Sequence, residues 1–285
     1  MTTQSHGHAL GVAGDLLGAA KPPAGAAPRV HVDSRGAGRP LVLLHGFAMH
    51  GGLFAPIVPA LAASRRVHVP DLPGHGRSAP LFPLSLDGAV AALDDALRGE
   101  AGPLDLVGWS LGGAIALHWA AARPERVAKL VLVATTPSFV ARDGWPHAMA
   151  GDTLRMFGDE LRASYRLTLQ RFLTLQTQGS EGGRAALAAL RRSLFAHGEP
   201  SAAALDATLA LLRELDLRET VRTVRAPALV IAGDRDTIAR PQAGAWLAQT
   251  LPDARLTIVP GAAHAPFLSH ADAFVADVLR FLDAR

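Results

Sequence analysis

A serine between two glycines constrains the fold of this chain more than any other feature. Residues 108–112 read Gly-Trp-Ser-Leu-Gly, after an apolar run at 104–107 and before small residues at 113–117. This order predicts a strand, a tight turn and a helix, with Ser110 at the turn. The turn strains the backbone, and a Cβ at either glycine would crowd the helix. The pattern therefore predicts a nucleophilic serine that projects from the edge of a sheet.

Short apolar runs recur along the chain and alternate with helical patterns. They lie at 40–44, 66–69, 104–107, 130–133, 228–232 and 255–259. Such runs are typical of parallel strands that helices cover on both faces. In such a sheet the ligand site forms beyond the carboxyl ends of the strands. We therefore predict an α/β fold with a mostly parallel sheet, helices on both faces and functional loops after the strands.

The segment 138–215 interrupts this alternation and contains no convincing strand. Its sequence favours three helices, at 152–176, 181–196 and 201–212, with glycines and a proline between them. We interpret 138–215 as a helical lid inserted into a core made of residues 28–137 and 216–285. Residues 1–27 are rich in Ala, Gly and Pro and lack a basic start, which favours a disordered extension over a signal peptide.

Composition and charge exclude several classes of protein. The 285 residues include no cysteine, which excludes disulfides, thiolate metal ligands and a cysteine nucleophile. No apolar run approaches the roughly 18 residues that a membrane span requires. The net charge of +3 is too small to indicate a nucleic-acid-binding surface. Without a metal-ligand spacing or a phosphate-binding glycine loop, we expect no metal and no cofactor. We expect a cytoplasmic monomer that binds neither nucleic acid nor membrane.

Ser110 requires a base, and a histidine near the C-terminus can supply it. A serine hydroxyl is a poor nucleophile near neutral pH until a neighbouring base takes its proton, and a carboxylate must orient that base. In folds with this serine turn the partners follow in the order serine, acid, histidine. His264 lies in the loop after the last predicted strand, so we predict that it is the base.

The acid is Asp234 or Asp236, which both follow the predicted strand at 228–232. In hydrolases of this kind the acid usually stands three residues after the glycine, and this spacing selects Asp236 over Asp234. The developing oxyanion also needs two preset backbone N–H donors. We expect one from Leu111, directly after the nucleophile, and one from Phe47, in the loop after the first predicted strand.

Six stretches carry a resemblance to a known family. Three occur in many hydrolases, at 43–46 (LLHG), 71–78 (DLPGHGRS) and 108–113 (GWSLGG). Three are narrower, at 137–146 (PSFVARDGWP), 171–179 (RFLTLQTQG) and 262–270 (AAHAPFLSH). Together they resemble the pimeloyl-[acyl-carrier protein] methyl ester esterases of biotin synthesis, which are α/β-hydrolases. The resemblance covers about residues 29 to 285.

The resemblance implies a serine carboxylesterase that removes a methyl group from a pimeloyl chain carried on acyl carrier protein. It implies Ser110 as the nucleophile, Asp236 as the acid and His264 as the base. The substrate contacts that it implies are Phe47, Ser110, Leu111, Phe172, Leu173, Thr174, Leu175, Gln176 and His264. The family often has tryptophan at the position of Phe47, so this chain keeps the backbone donor and loses the indole N–H.

The predicted lid has an excess of arginine that suits an acidic carrier. Seven arginines (155, 162, 166, 171, 184, 191 and 192) stand against three acidic residues (159, 160 and 181). Acyl carrier proteins are acidic, so a basic lid would steer and dock the carrier. The docking candidates are Arg166, Arg171, Arg184 and Arg191. An ordinary solvated helix face is the alternative, because helix phase decides which arginines lie together.

Other functions are compatible with the same triad. A broad carboxylesterase for short acyl esters would keep it, as would a cofactor-free perhydrolase or a C–C bond hydrolase. The three narrower stretches argue against the last two. A non-catalytic ligand-binding protein of this fold can also keep a triad, but it would be labelled by a fluorophosphonate without turning over p-nitrophenyl butyrate.

Overall fold

The computed structural model describes residues 29–198 and 201–284, so the extension expected at 1–27 lies outside the described residues. Seven strands in this part of the chain form one sheet. They are β1 (Val32–Arg35), β2 (Pro40–Leu44), β3 (Arg66–Pro70), β4 (Leu104–Trp109), β5 (Val127–Val133), β6 (Ala228–Gly233) and β7 (Ala254–Val259). Their order is β1-β3-β2-β4-β5-β6-β7, and all neighbours are parallel except β1, which is antiparallel to β3.

Besides a 3-10 helix at Gly51–Phe54, the described residues form eleven α-helices. They are α1 (Val58–Ala62), α2 (Leu86–Ala96), α3 (Leu111–Ala122), α4 (Gly151–Ala163), α5 (Tyr165–Thr177), α6 (Gly183–Leu194), α7 (Ala202–Glu214), α8 (Arg218–Val221), α9 (Pro241–Thr250), α10 (Pro266–Ser269) and α11 (Ala271–Asp283). Because β4 and β6 are buried along their whole length, they are covered on both faces. This arrangement confirms the predicted α/β fold. None of the described helices is both long and apolar enough to cross a bilayer.

The strands show where apolar runs predict structure and where they do not. All six predicted strands are present, and β2 has the predicted bounds. The apolar runs do not predict β1, because its sequence Val-Asp-Ser-Arg has one apolar residue and three exposed positions. Pairing with β3, in which Val32 lies opposite Pro70 and Arg35 opposite Val67, is what makes this segment a strand.

Four of the five helices between β5 and β6, α4 to α7, lie in the segment interpreted as a lid. The sequence favours one helix over 152–176, and this is wrong, because the chain breaks at Ser164 with φ −147° and ψ 57°. Neither proline nor glycine stands at the break. The break allows α4 to pack against α5, and both helices contribute apolar side chains to one cavity. Tertiary packing therefore overrides local helix propensity at Ser164.

Two buried histidines, His45 and His75, lie in the loops that follow β2 and β3, and their rings pack against each other. The rings of His45 and His75 are 5.4 Å apart between centroids, and both residues are almost fully buried. Nδ1 of His45 donates to the Gly46 carbonyl at 2.9 Å, and its Nε2 accepts from the Leu72 N–H at 2.8 Å. Burial, followed by the neighbouring His75, lowers the pKa of His45 to about 3, and burial also lowers the pKa of His75. Both rings are therefore neutral in the folded protein.

We expect the free energy of unfolding to fall as the pH is lowered below about 6.5. Histidine in the unfolded chain takes a proton near pH 6.5. Folded His45 does so only near its lowered pKa of about 3. The unfolded state therefore binds more protons, and each such histidine costs up to about 1.4 kcal/mol per pH unit between the two pKa values. Urea unfolding between pH 7.5 and 5.5 measures the slope. A His75→Gln variant cannot titrate and should have a shallower slope, whereas an unchanged slope would contradict this explanation.

Candidate active site

Ser110 occupies a strained turn between β4 and α3. Its backbone has φ 55° and ψ −117°, in the left-handed region that residues other than glycine seldom adopt. A Cβ at Gly108 would lie 2.4 Å from the Gly112 carbonyl oxygen, and one at Gly112 would lie 2.3 Å from the Leu44 carbonyl oxygen. The two glycines are therefore required by close backbone packing. Thr135 Oγ1 donates to the Ser110 carbonyl at 2.7 Å and helps to hold the turn.

His264 and Asp236 form a buried, directional pair. Nδ1 of His264 is 2.8 Å from Oδ2 of Asp236, and both side chains are almost fully buried. A carboxylate can only accept, so Nδ1 carries a proton, and in the neutral ring Nε2 is the nitrogen with the free lone pair. Among the described residues, Nε2 has no hydrogen-bond partner. Oδ1 of Asp236 accepts from the N–H groups of Ile238 and Ala239 at 2.8 and 3.0 Å, which fixes the carboxylate.

The structure separates the two candidate acids. Oδ1 of Asp234 accepts from the Gly261 N–H at 2.8 Å, so Asp234 joins the loop after β6 to the loop after β7. Only Asp236 of the two is hydrogen-bonded to His264. The geometry therefore favours Asp236 as the residue that orients the base, and Asp234 as a turn residue.

The backbone of His264 is held from two sides. Nε1 of Trp109, the residue before Ser110, donates to the His264 carbonyl at 2.7 Å, and the two rings are 5.5 Å apart. The His264 N–H donates to the carbonyl of Gln176, at the end of α5, at 3.0 Å. These bonds place the base beside the serine turn. Nε2 forms no hydrogen bond to Ser110 here, and such bonds often tighten only when substrate is bound.

The loop after β2 brings a second backbone donor toward Ser110. A Cβ on Gly46 would lie 3.1 Å from the Trp109 ring and 3.2 Å from the Ser110 Cβ, so this loop is pressed against the serine turn. Phe47 follows and is buried. Leu111 is the first residue of α3, a position whose N–H has no partner within a helix. Phe47 therefore lies in a loop packed on the serine turn, and Leu111 directly follows Ser110 in the chain.

Ser110 lines an apolar cavity of about 100 Å³, together with side chains of the segment interpreted as a lid. The core contributes Phe47, Ser110 and Ile238, and the segment 138–215 contributes Phe139, Met149, Thr153, Leu154, Phe157, Phe172, Leu175, Leu209 and Leu212. The walls present almost no polar surface. A narrow apolar space lined by a serine side chain suits a flexible alkyl chain.

Three phenylalanine rings connect the core loop to two lid helices at this cavity. Phe47 lies 6.0 Å from Phe157 and 5.9 Å from Phe172, and the last two are 5.3 Å apart between centroids. Aromatic pairs at these distances contribute about 0.5–1.5 kcal/mol beyond area burial. The ring of Phe47 therefore packs with the lid, while its backbone remains beside Ser110.

The structure separates the implied contacts at 172–176 into two groups. Phe172 and Leu175 line the cavity, and Gln176 is buried with its carbonyl on the His264 N–H. Leu173 is buried in the hydrophobic core instead, and Thr174 is exposed, its hydroxyl donating to the Gln170 carbonyl at 3.0 Å. A helix turns by about 100° per residue, so five consecutive side chains cannot face one cavity.

Sequence reasoning missed several cavity residues, above all Phe157 on α4. Its signal is the pair Leu154 and Phe157, which lie three residues apart and share a helix face. Leu209 and Leu212 on α7 repeat the same spacing. Because both patterns also describe ordinary core packing, only the folded lid shows which faces cover the serine.

The lid arginines differ in their partners. Arg155 pairs with Asp152 and Asp159, and Arg162 pairs with Asp159 and Asp206. Arg166 stacks on the Phe195 ring at 5.2 Å. Arg171, Arg184 and Arg191, by contrast, form no ion pair with any described residue.

One group that sequence reasoning missed has the spacing of metal ligands. Ligand atoms of His50, Asp71 and His197 lie within 4.8 Å of one another. Nε2 of His50, however, is 2.6 Å from the Ser193 carbonyl, and its Nδ1 accepts from the Gly52 N–H at 3.1 Å. Both carboxylate oxygens of Asp71 accept backbone N–H bonds, and the Arg77 guanidinium also binds it. With these lone pairs occupied, the group is better suited to join lid and core than to bind a metal.

The chain matches the alpha/beta hydrolase fold family over residues 39–271. A Chromobacterium violaceum protein is 44% identical over 89% of this chain and 98% of its own length. One from Xanthomonas campestris pv. campestris is 45% identical over 90% and 99%. Both are named pimeloyl-[acyl-carrier protein] methyl ester esterase.

Solved structures agree on the fold. An esterase from Exiguobacterium antarcticum has a TM-score of 0.83 at 20% identity and covers 90% of this chain and 96% of its own. The enol-lactonase from Burkholderia xenovorans LB400 has a TM-score of 0.77 at 25% identity, with 90% and 97% covered. The chain therefore belongs to the alpha/beta hydrolase fold family and, within it, to the pimeloyl-[acyl-carrier protein] methyl ester esterases.

Proposed function

We propose that this protein is a serine carboxylesterase that hydrolyses the methyl ester of pimeloyl-[acyl-carrier protein] to the free acid and methanol in biotin synthesis. Relatives with that name are 44–45% identical over about nine-tenths of the chain. The observation that carries the proposal is an apolar cavity lined by Ser110, in a protein that also has a buried His264–Asp236 pair. This arrangement suits acyl transfer to a serine from an ester with a long methylene chain.

The first half of the reaction forms an acyl-enzyme. Ser110 Oγ attacks the methyl ester carbonyl while Nε2 of His264 takes its proton. Asp236 holds Nδ1–H and stabilises the imidazolium that forms. The oxyanion accepts hydrogen bonds from the N–H groups of Phe47 and Leu111. The C–O bond to methanol then breaks, and His264 returns the proton to the departing oxygen.

The second half releases the pimeloyl acid. Water enters the position that methanol has left, and His264 takes one of its protons as the water attacks the acyl carbonyl. The same two amides stabilise the second oxyanion. The bond to Ser110 Oγ breaks, and His264 returns the proton to the serine. The products are a free carboxylate on the carrier-bound chain and the unchanged enzyme.

The methylene chain supplies binding energy in the cavity. Each methylene group buried there contributes about 0.8 kcal/mol. Because the ester end must reach Ser110, the other end of the chain points out of the cavity toward the carrier. We also propose that the protein is monomeric and cytoplasmic and that it turns over small esters.

We propose that Arg171, Arg184 and Arg191, which form no ion pair among the described residues, dock the carrier, and charge reversal tests this. Arg171→Glu together with Arg184→Glu should raise KM for the carrier-bound ester about tenfold, because two attractive charges become repulsive. KM for p-nitrophenyl butyrate should stay within about twofold. The matched control is Arg225→Glu with Arg255→Glu, which reverses two exposed arginines of the core. An equal loss on both substrates, or the same loss in the control, would argue against docking.

A comparison of substrates tests the proposed function against a broad carboxylesterase. The values of kcat/KM are measured for methyl-pimeloyl carrier protein and for dimethyl pimelate. A dedicated carrier esterase should prefer the carrier-bound ester by about 100-fold, which corresponds to about 2.8 kcal/mol. Equal values for the two esters would indicate a broad carboxylesterase for short acyl esters.

A further inference from the structure

The turn between α5 and α6 is hydrogen-bonded to the two loops that carry Asp236 and His264. Nη1 of Arg235 donates to the Gly179 carbonyl at 2.6 Å, and its Nη2 donates to Oε1 of Glu181 at 3.1 Å. The Glu181 N–H donates to the Gly261 carbonyl at 2.8 Å. The lid is therefore bonded both to the residue before Asp236 and to the loop that leads to His264.

Close packing accompanies these bonds. Gly261 has a φ of +73°, which favours glycine, and a Cβ there would lie 2.7 Å from the Glu181 carboxyl carbon, so the Glu181 side chain packs directly on this residue. The Arg235 N–H donates to the Ala262 carbonyl at 2.9 Å. The backbone of Arg235 thus binds the loop of the base, while its side chain binds the lid.

The same turn ends the helix that forms part of the cavity wall. Phe172 and Leu175 on α5 line the cavity, and the carbonyl of Gln176 accepts the His264 N–H at 3.0 Å. A movement of the turn at 178–182 would therefore shift this wall relative to Ser110.

We propose that Arg235 is a positioning residue, which holds α5 against the loops of the acid and the base and so sets the width of the acyl cavity. The inference rests on the proposed function in that it takes this cavity as the acyl site. The ion pair itself contributes little, because the Arg235 and Glu181 side chains are 46% and 68% exposed. The bond from Arg235 to the Gly179 carbonyl is the one that we expect to hold α5 in place. A charge change at Glu181 does not remove this bond.

A series of p-nitrophenyl esters from acetate to octanoate tests the proposal. Arg235→Ala should raise KM for the octanoate about tenfold and change kcat/KM for the acetate by less than about twofold, because a displaced wall affects only a long chain. Glu181→Gln keeps an acceptor and should resemble the wild type. Arg255→Ala, an exposed arginine on β7, is the matched control. In Arg235→Ala, hydrogen exchange should also accelerate in peptides spanning 172–182.

An unchanged octanoate KM, or an equal loss for octanoate and acetate, would overturn the proposal. The thermal unfolding of each variant is measured as well. A loss of activity that comes only from lower stability should be the same for all acyl lengths. Arg235→Gln repeats the test with a side chain of intermediate length. The free esters do not involve the carrier. A wild type that is active on them and inactive on the carrier-bound ester would refute the proposed function and leave the length dependence to decide the role of Arg235.

Discussion

Ser110→Ala is expected to lower kcat for ester hydrolysis by about a millionfold. Ser110 lines the apolar cavity, and its backbone has a strained φ of 55°. Without Oγ no acyl-enzyme can form, and only binding and the oxyanion donors remain to assist direct attack by water. Turnover of p-nitrophenyl butyrate and covalent labelling by a fluorophosphonate both measure the loss.

The control for this prediction is Ser64→Ala, since Ser64 is exposed. It should keep wild-type turnover and labelling. His264→Ala should match the loss of Ser110→Ala, because the two residues act as one unit. If Ser110→Ala retains more than about one per cent of turnover, far above the residual rate of a disrupted triad, the nucleophile is another residue.

Asp236→Asn is expected to lower kcat by about 10⁴-fold, while Asp234→Asn should change it by less than about threefold. An amide at 236 can donate to Nδ1 of His264, which favours the tautomer with the proton on Nε2 and removes the base. At 234 an amide oxygen still accepts the Gly261 N–H, so the turn survives. The two changes are the same in chemistry and two positions apart, and they differ in whether the side chain binds His264.

Kinetics and thermal unfolding of both variants should be measured together. We expect Asp236→Asn to stay folded with KM near the wild-type value, because the substituted atom is buried behind the base. A large loss of kcat in Asp234→Asn, with little in Asp236→Asn, would reverse the two roles. Equal losses with lowered thermal stability would indicate that both aspartates serve only to hold the loops.

The sequence predicts the positions of the candidate catalytic residues better than it predicts the walls of the cavity. Ser110, Asp236 and His264 each follow an apolar run, and parallel strands bring the ends of such runs to one edge of the sheet. Local sequence patterns are enough to predict the positions of these residues, because a strand and the turn after it depend on neighbouring residues. The same reasoning cannot predict β1, which depends on pairing with β3.

Features that depend on distant contacts are not visible in the sequence. The break at Ser164 follows from how α4 and α5 pack, and not from a glycine or proline. Phe157 and Phe47 are 110 positions apart in the chain (157 minus 47), yet their rings are in contact. The bond between Arg235 and Glu181 spans 54 positions. Each of these requires the folded lid before it can be recognised.

Mass spectrometry of methyl-pimeloyl carrier protein, after incubation with the pure protein, tests the proposed reaction most directly. Ser110→Ala serves as the control. We predict loss of the methyl group at catalytic amounts of protein, with the thioester intact, and no loss in the control. An ester that stays methylated, while short p-nitrophenyl esters are turned over, would contradict the proposed function.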